Sequence, residues 1–128
     1  LAATRSAEGT AATKLLGARH TIFMSGRDGA VAQQHELQRE FVELISHGGY
    51  QRVFVNWHGD RHPDHRATFA WFQRALAQCP TVESVWLYEV WSPLEPNTLV
   101  PIDGTIDVKR AAIAAHVSQL AVLDYSSA

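Results

Sequence analysis

Two periodicities alternate along this chain, and that alternation constrains the fold more than any other feature. His20–Met24, Val53–Trp57 and Val85–Trp91 are continuous apolar runs, too short for helices, and read as strands buried on both faces. The segments between them are patterned for helices. Ala7, Ala11, Leu15 and Leu16 recur at helical spacing up to Gly17. Leu37, Phe41, Leu44 and Ile45 form a stripe within Val31–His47, which Gly48-Gly49 closes. Phe69, Phe72, Leu76 and Cys79 share one face of Pro63–Cys79, ahead of Pro80. Thr98–Asp103 reads as an edge strand and Asp107–Gln119 as a last helix capped by Asp107. Strands alternating with helices predict parallel βαβ units, and so an α/β fold: a Rossmann-like, three-layer α/β/α arrangement around a mostly parallel sheet.

Composition narrows the class. With 128 residues, 46% of them hydrophobic, the chain is expected to form one domain over residues 1–128. A chain of this size buries about two-thirds of its unfolded surface. A net charge of −2 and the absence of a basic patch argue against nucleic-acid binding. No apolar run approaches the roughly 20 residues of a membrane span. Cys79, the single cysteine, excludes an internal disulfide and a cysteine-based zinc knuckle, and the balance suits a cytoplasmic setting. The chain starts at Leu1 inside an alanine-rich helical pattern and ends at Asp124-Tyr-Ser-Ser-Ala128. Either a piece of a longer protein or a trimmed domain is expected.

Parallel sheets bind ligands outside the carboxyl ends of their strands, which selects the loops Ser25–Gly29, His58–His62 and Ser92–Asn97. The middle loop opens the most informative segment, Asn56-Trp-His-Gly-Asp-Arg-His-Pro-Asp-His-Arg-Ala-Thr-Phe69. Three of the seven histidines, His58, His62 and His65, fall within eight positions. Read as one helix, that spacing would line them up like a three-histidine zinc site. Pro63 favours another geometry. Proline suits the first helical position, so His62 becomes the cap, His58 stays in the loop and Asp64 enters the first turn. His65 then begins the inward-facing stripe. Two readings stay open for it: a core histidine bonded to backbone, or a metal or acid–base group near the carboxylates of Asp60 and Asp64.

At this segment the chain resembles the PIG-L/LmbE-like zinc-dependent N-deacetylases, which act on N-acetylglucosamine-type amides. The family's His-Pro-Asp-His followed by Arg-Ala-Thr is matched at His62-Pro63-Asp64-His65-Arg66-Ala67-Thr68. Arg5 and Glu8, ahead of Ala11, Ala12, Leu16 and Gly17, are similar to its Arg-x-x-Glu helix, and Asp28-Gly29 to its Asp-Gly loop. Tyr88 through Pro93, and Lys109 through the His116-Val-Ser-Gln119 block, resemble its later blocks. The blocks occur in order over nearly the whole chain. One departs: the family's opening strand and its (Pro/Ala)-His-Pro-Asp-Asp loop, source of two zinc ligands and a general base, have no counterpart here. The fold is therefore expected to be incomplete at its N-terminus.

The resemblance implies a zinc cofactor with His65 as one ligand and the remaining ligands supplied by the missing N-terminal segment. It implies that His62 stabilises the oxyanion or protonates the leaving amine as a cationic imidazole. Asp64 would hold the His62 ring, or pair with the helix dipole. Arg5 and Asp28 would line the substrate pocket; their plain alternatives are a solvated helix arginine and a turn residue. Glu8 is expected to pair locally, and Lys109 and Ser118-Gln119 to tie the last helix to the sheet. Trp57 and Trp86 are expected in the core, with Trp91 alone near substrate. Arg61 and Arg66 read as solvated arginines flanking the site, and Cys79 as core.

The implied function is part of a zinc-dependent hydrolase that removes acetyl from an N-acetylated amino-sugar conjugate, the chain by itself being inactive. A catalytically dead carbohydrate-binding or assembly module is the alternative. A homo-oligomer, or association with the missing segment, is the expected assembly. A nucleotide-binding domain is disfavoured because no Gly-x-Gly-x-x-Gly follows any strand.

Overall fold

The computed structural model describes residues 2–122; Leu1 and residues 123–128, which include the closing Asp124-Tyr-Ser-Ser-Ala128, lie outside the described residues. The chain divides into two compact units, one drawn from residues up to Phe23 and from Thr98 onward, the other Met24–Asn97. Among the described residues no helix is long and apolar enough to cross a membrane.

The second unit is the βαβ element that the alternating pattern predicts. Strand β1 (Arg52–Asn56) and strand β2 (Ser84–Tyr88) pair in parallel, with Val53 opposite Val85, Phe54 opposite Trp86 and Val55 opposite Leu87. Helix α3 (Pro63–Leu76) connects them, as a parallel pair requires. Helix α2 (His35–His47) precedes β1 and packs on α3, with the Phe41 and Trp71 rings 5.9 Å apart.

Three predicted boundaries shift. Val31–His47 is not one helix: a 3₁₀ turn, Val31–Gln33, leads through the extended Gln34 into α2. The buried face of α3 is Ala67, Trp71, Phe72, Ala75 and the following Cys79, whereas Leu76 is 36% exposed. The sequence stripe through Leu76 is one residue off the face that meets α2 and β1. β2 stops at Tyr88, and residues 89–91 leave the ladder.

In the first unit, helix α1 (Ala2–Leu15) ends before Gly17, whose φ of 75° is the left-handed conformation that closes helices. It buries Ala12, while Leu15 and Leu16 are 51% and 59% exposed, so the apolar repeat marks the helix without marking its packed side. The predicted helix Asp107–Gln119 is two: α4 (Ile106–Ala114) and α5 (Val117–Leu120), broken at Ala115-His116. Thr105 occupies the cap of α4 and Asp107 its first turn. Glu8 of α1 does not pair locally. Its carboxylate accepts from the Ser118 N–H and hydroxyl at 2.8 and 2.7 Å, satisfying a free donor at the start of α5. Those bonds, the side-chain one first, lower the Glu8 pKa below its ordinary value. Ser118 thus ties the last helix to α1.

Neither remaining predicted strand forms. Around His20–Met24 there is no ladder: Thr21 bonds Thr13 of α1 through their hydroxyls at 2.8 Å, and the Phe23 ring lies against Gly9. Side-chain docking on a helix replaces strand pairing there. Thr98–Asp103 fails for a second reason. Pro101 offers no N–H, Leu99 and Val100 are 83% and 66% exposed, and a 3₁₀ turn starts at Asp103. The observed sheet is a short parallel pair within an α/β fold.

Candidate active site

The site forms where β1 hands over to α3. The chain turns after Asn56, with the Asp60 N–H bonding the Trp57 carbonyl at 3.3 Å, and enters α3 at Pro63. His62 is the cap, as its place before proline predicts: its Nδ1 accepts from the Asp64 N–H at 3.3 Å. An accepting Nδ1 leaves the ring proton of the neutral imidazole on Nε2.

Asp60 organises the loop from beneath. It is fully buried, and its oxygens accept from the His62 N–H at 2.8 Å and the Trp91 N–H at 3.0 Å. Its Oδ2 also lies 3.3 Å from His65 Nδ1, close but off the line of a good hydrogen bond. Burial alone would push this carboxyl up, but the two N–H bonds and the His65 ring outweigh it and hold the pKa at about 2. Because the folded value lies below the ordinary 3.8, the stabilisation is present above that value and is lost as pH falls through about 2. The amide resonances of His62 and Trp91 are expected to stay constant down to about pH 4 and to change together toward about pH 2. A joint midpoint at the ordinary carboxylate value would contradict this.

The two histidines chosen from the sequence come together, with ring centroids 4.7 Å apart. Trp91 lies nearly parallel to His62, at 6.5 Å and 24°. His58 leaves the group: its ring packs against Trp57 and Phe69, which disposes of the one-helix, three-histidine reading. Asp64 has a different task from either one foreseen. Its two oxygens accept from the Gly29 N–H at 2.7 Å and the Val31 N–H at 3.0 Å, so it clamps the Asp28-Gly29 loop rather than the His62 ring. Gly29, at φ 74°, supplies the left-handed turn that brings those amides round. Asp64→Ala is expected to speed amide exchange at Gly29 and Val31 by about tenfold or more, since bonds to a charged acceptor contribute about 1.5–3 kcal/mol. Unchanged protection of both amides would refute the clamp.

Asp28, His62 and Asp64 each offer a ligand atom, all within 4.8 Å of one another, in a group that could hold a metal ion. Arg5 is an exposed residue of α1 in the first unit. The flanking arginines are anchors rather than solvated charges. Arg66 donates to the carbonyls of Asp60 and Arg61, both at 2.7 Å, and Arg61 reaches the Trp91 carbonyl at 3.1 Å. Trp57 donates to the Ser92 carbonyl at 3.2 Å. Asp60 was visible in the sequence as an acid near the histidines; its central place was not, because Trp91 meets it only through the parallel pairing of β1 with β2.

A βαβ unit carrying these residues has the make-up of a deacetylase-type hydrolase fold. Residues 1–76, more than half of the chain, match the family model described as PIG-L: GlcNAc-PI de-N-acetylase. The chain belongs to the PIG-L family. The match includes Arg5, Asp28, His62, Asp64 and His65. Among solved structures, the chain is similar to the conserved protein TT1542 from Thermus thermophilus, with 26% identity and a TM-score of 0.84. That likeness covers 98% of this chain and 62% of the other, so the chain spans less than two-thirds of that protein's length.

Proposed function

We propose that this chain supplies the histidine side of the active site of a zinc-dependent N-deacetylase acting on an N-acetylglucosamine-type amide. The observation that carries the proposal is His65, whose Nδ1 is buried against the fully buried carboxylate of Asp60. An imidazole backed by a carboxylate at one nitrogen is the usual form of a metal-binding histidine, with the other nitrogen free to ligate. That donor chemistry fits zinc as one ligand. The remaining ligands, on this reading, come from outside the 128 residues, within a fuller three-layer α/β/α domain.

Zinc bound there supplies a Lewis acid for the amide carbonyl and lowers the pKa of water towards about 7. The residues of this chain do the rest. His62, with its proton on Nε2, donates to the developing oxyanion or the departing amine, in place of the cationic ring implied at first. Asp64 keeps the Asp28 loop beside it, and Asp28 accepts from a sugar hydroxyl. Arg5 keeps the substrate-binding role that the resemblance gives it. The substrate is an N-acetylated amino-sugar conjugate, and a homo-oligomer is the proposed assembly.

A second reading places an ion among Asp28, His62 and Asp64, favoured by their mutual 4.8 Å spacing. Against it, both Asp64 oxygens and His62 Nδ1 already have backbone partners. The test is acetate release from N-acetylglucosaminyl glycosides by the whole polypeptide. Activity is expected to vanish with a chelator and return with zinc; release that ignores the chelator would contradict the proposal.

A further inference from the structure

We infer that Asp60 is the positioning residue of this site: it sets which nitrogen of His65 carries the proton and joins that choice to the segment presenting Trp91. The inference rests on the reading of His65 as a metal ligand. Asp60 is 0% exposed, so it cannot touch substrate. Its two oxygens face three groups, the His62 N–H, the Trp91 N–H and His65 Nδ1. A carboxylate can only accept, so in the neutral ring it selects the tautomer with the proton on Nδ1. His65 Nδ1 itself is buried, and the 23% of the side chain that solvent reaches belongs to the rest of the ring. The lone pair on Nε2 is left for a ligand.

The same carboxylate makes two loops one body. Around it, Arg61 N–H bonds the Ser92 hydroxyl at 2.9 Å, Arg61 holds the Trp91 carbonyl, and Arg66 holds the carbonyls of Asp60 and Arg61. A substrate pressing on Trp91 therefore acts through Asp60 on the backbone of His62 and the ring of His65. The loose Nδ1 contact is what an unliganded site shows before its bonds tighten.

Asp60→Asn is the discriminating substitution. Asparagine has the same shape but puts an NH₂ where one oxygen was, and that NH₂ can donate to His65 Nδ1 and move the ring proton to Nε2. Imidazole ¹⁵N spectra at mildly alkaline pH are expected to show His65 protonated at Nδ1 in the wild-type chain and at Nε2 in Asp60→Asn. Zinc binding by the whole polypeptide is expected to weaken by about 10–100-fold in Asp60→Asn, the usual effect of losing such a partner. Arg66→Ala, which loosens the same loop without touching the ring, is expected to keep the wild-type tautomer. A His65→Ala variant separates the two claims. If it binds zinc as well as wild type, the ligand reading fails and this inference with it. If it loses zinc while Asp60→Asn keeps both tautomer and affinity, the ligand reading stands and Asp60 is not the positioning residue. Should Asp60→Asn not fold, the wild-type spectrum alone decides, because His65 protonated at Nε2 overturns the inference.

Discussion

Replacing His65 with alanine is expected to lower kcat/KM for acetate release by about 10³-fold or more, with the fold intact. Metal-derived stabilisation of transition-state charge is worth several kcal/mol, and each 1.36 kcal/mol is about tenfold in rate. The ring is half-buried rather than core, and its Nδ1 makes no hydrogen bond of good geometry, so its loss should cost little stability. His62→Ala is expected to act differently. It removes an Nε2–H donor and the α3 cap together, lowering kcat by about 10²–10³-fold and stability by about 1 kcal/mol. Steady-state kinetics beside zinc titration separates them: the His65 variant loses metal, and the His62 variant keeps metal and loses rate. Equal rates in wild type and His65→Ala would remove that residue from the mechanism.

Phe72→Ala is expected to cost about 3–5 kcal/mol, a large share of the roughly 5–15 kcal/mol that holds a domain together. Phe72 is 1% exposed and is the largest fully buried apolar side chain of the described residues. Its truncation leaves a cavity beside Trp71 and Ala75, on the face of the helix that starts at the site. Leu76→Ala is the contrast. Its side belongs to the apolar stripe of the sequence, yet it is 36% exposed, so its loss should be clearly the smaller. Urea denaturation measures both. Equal losses would mean that α3 is rotated from the position described.

The local chemistry of the site was legible in the sequence because it is set by neighbours in the chain. Pro63 fixed the start of α3 and made His62 its cap, and the three-residue step from His62 to His65 brought both rings to one side. The βαβ unit was legible because Val53–Trp57 and Val85–Trp91 are continuous apolar runs either side of a helical pattern. What could not be read is what depends on distant partners. Asp64 meets Gly29 and Val31 across more than thirty residues, and Glu8 meets Ser118 across 110. His20–Met24 shows the same limit for backbone: an apolar run is a strand only where another strand accepts its ladder, and this one is docked on α1 by Thr21 and Phe23 instead.

Zinc-edge X-ray absorption on the metal-loaded whole polypeptide, compared with its His65→Ala variant, bears most directly on the role of His65. One imidazole should disappear from the zinc shell in the variant and remain in Asp28→Asn. An unchanged shell in His65→Ala, or loss of zinc in Asp28→Asn alone, would place the metal elsewhere and contradict the account.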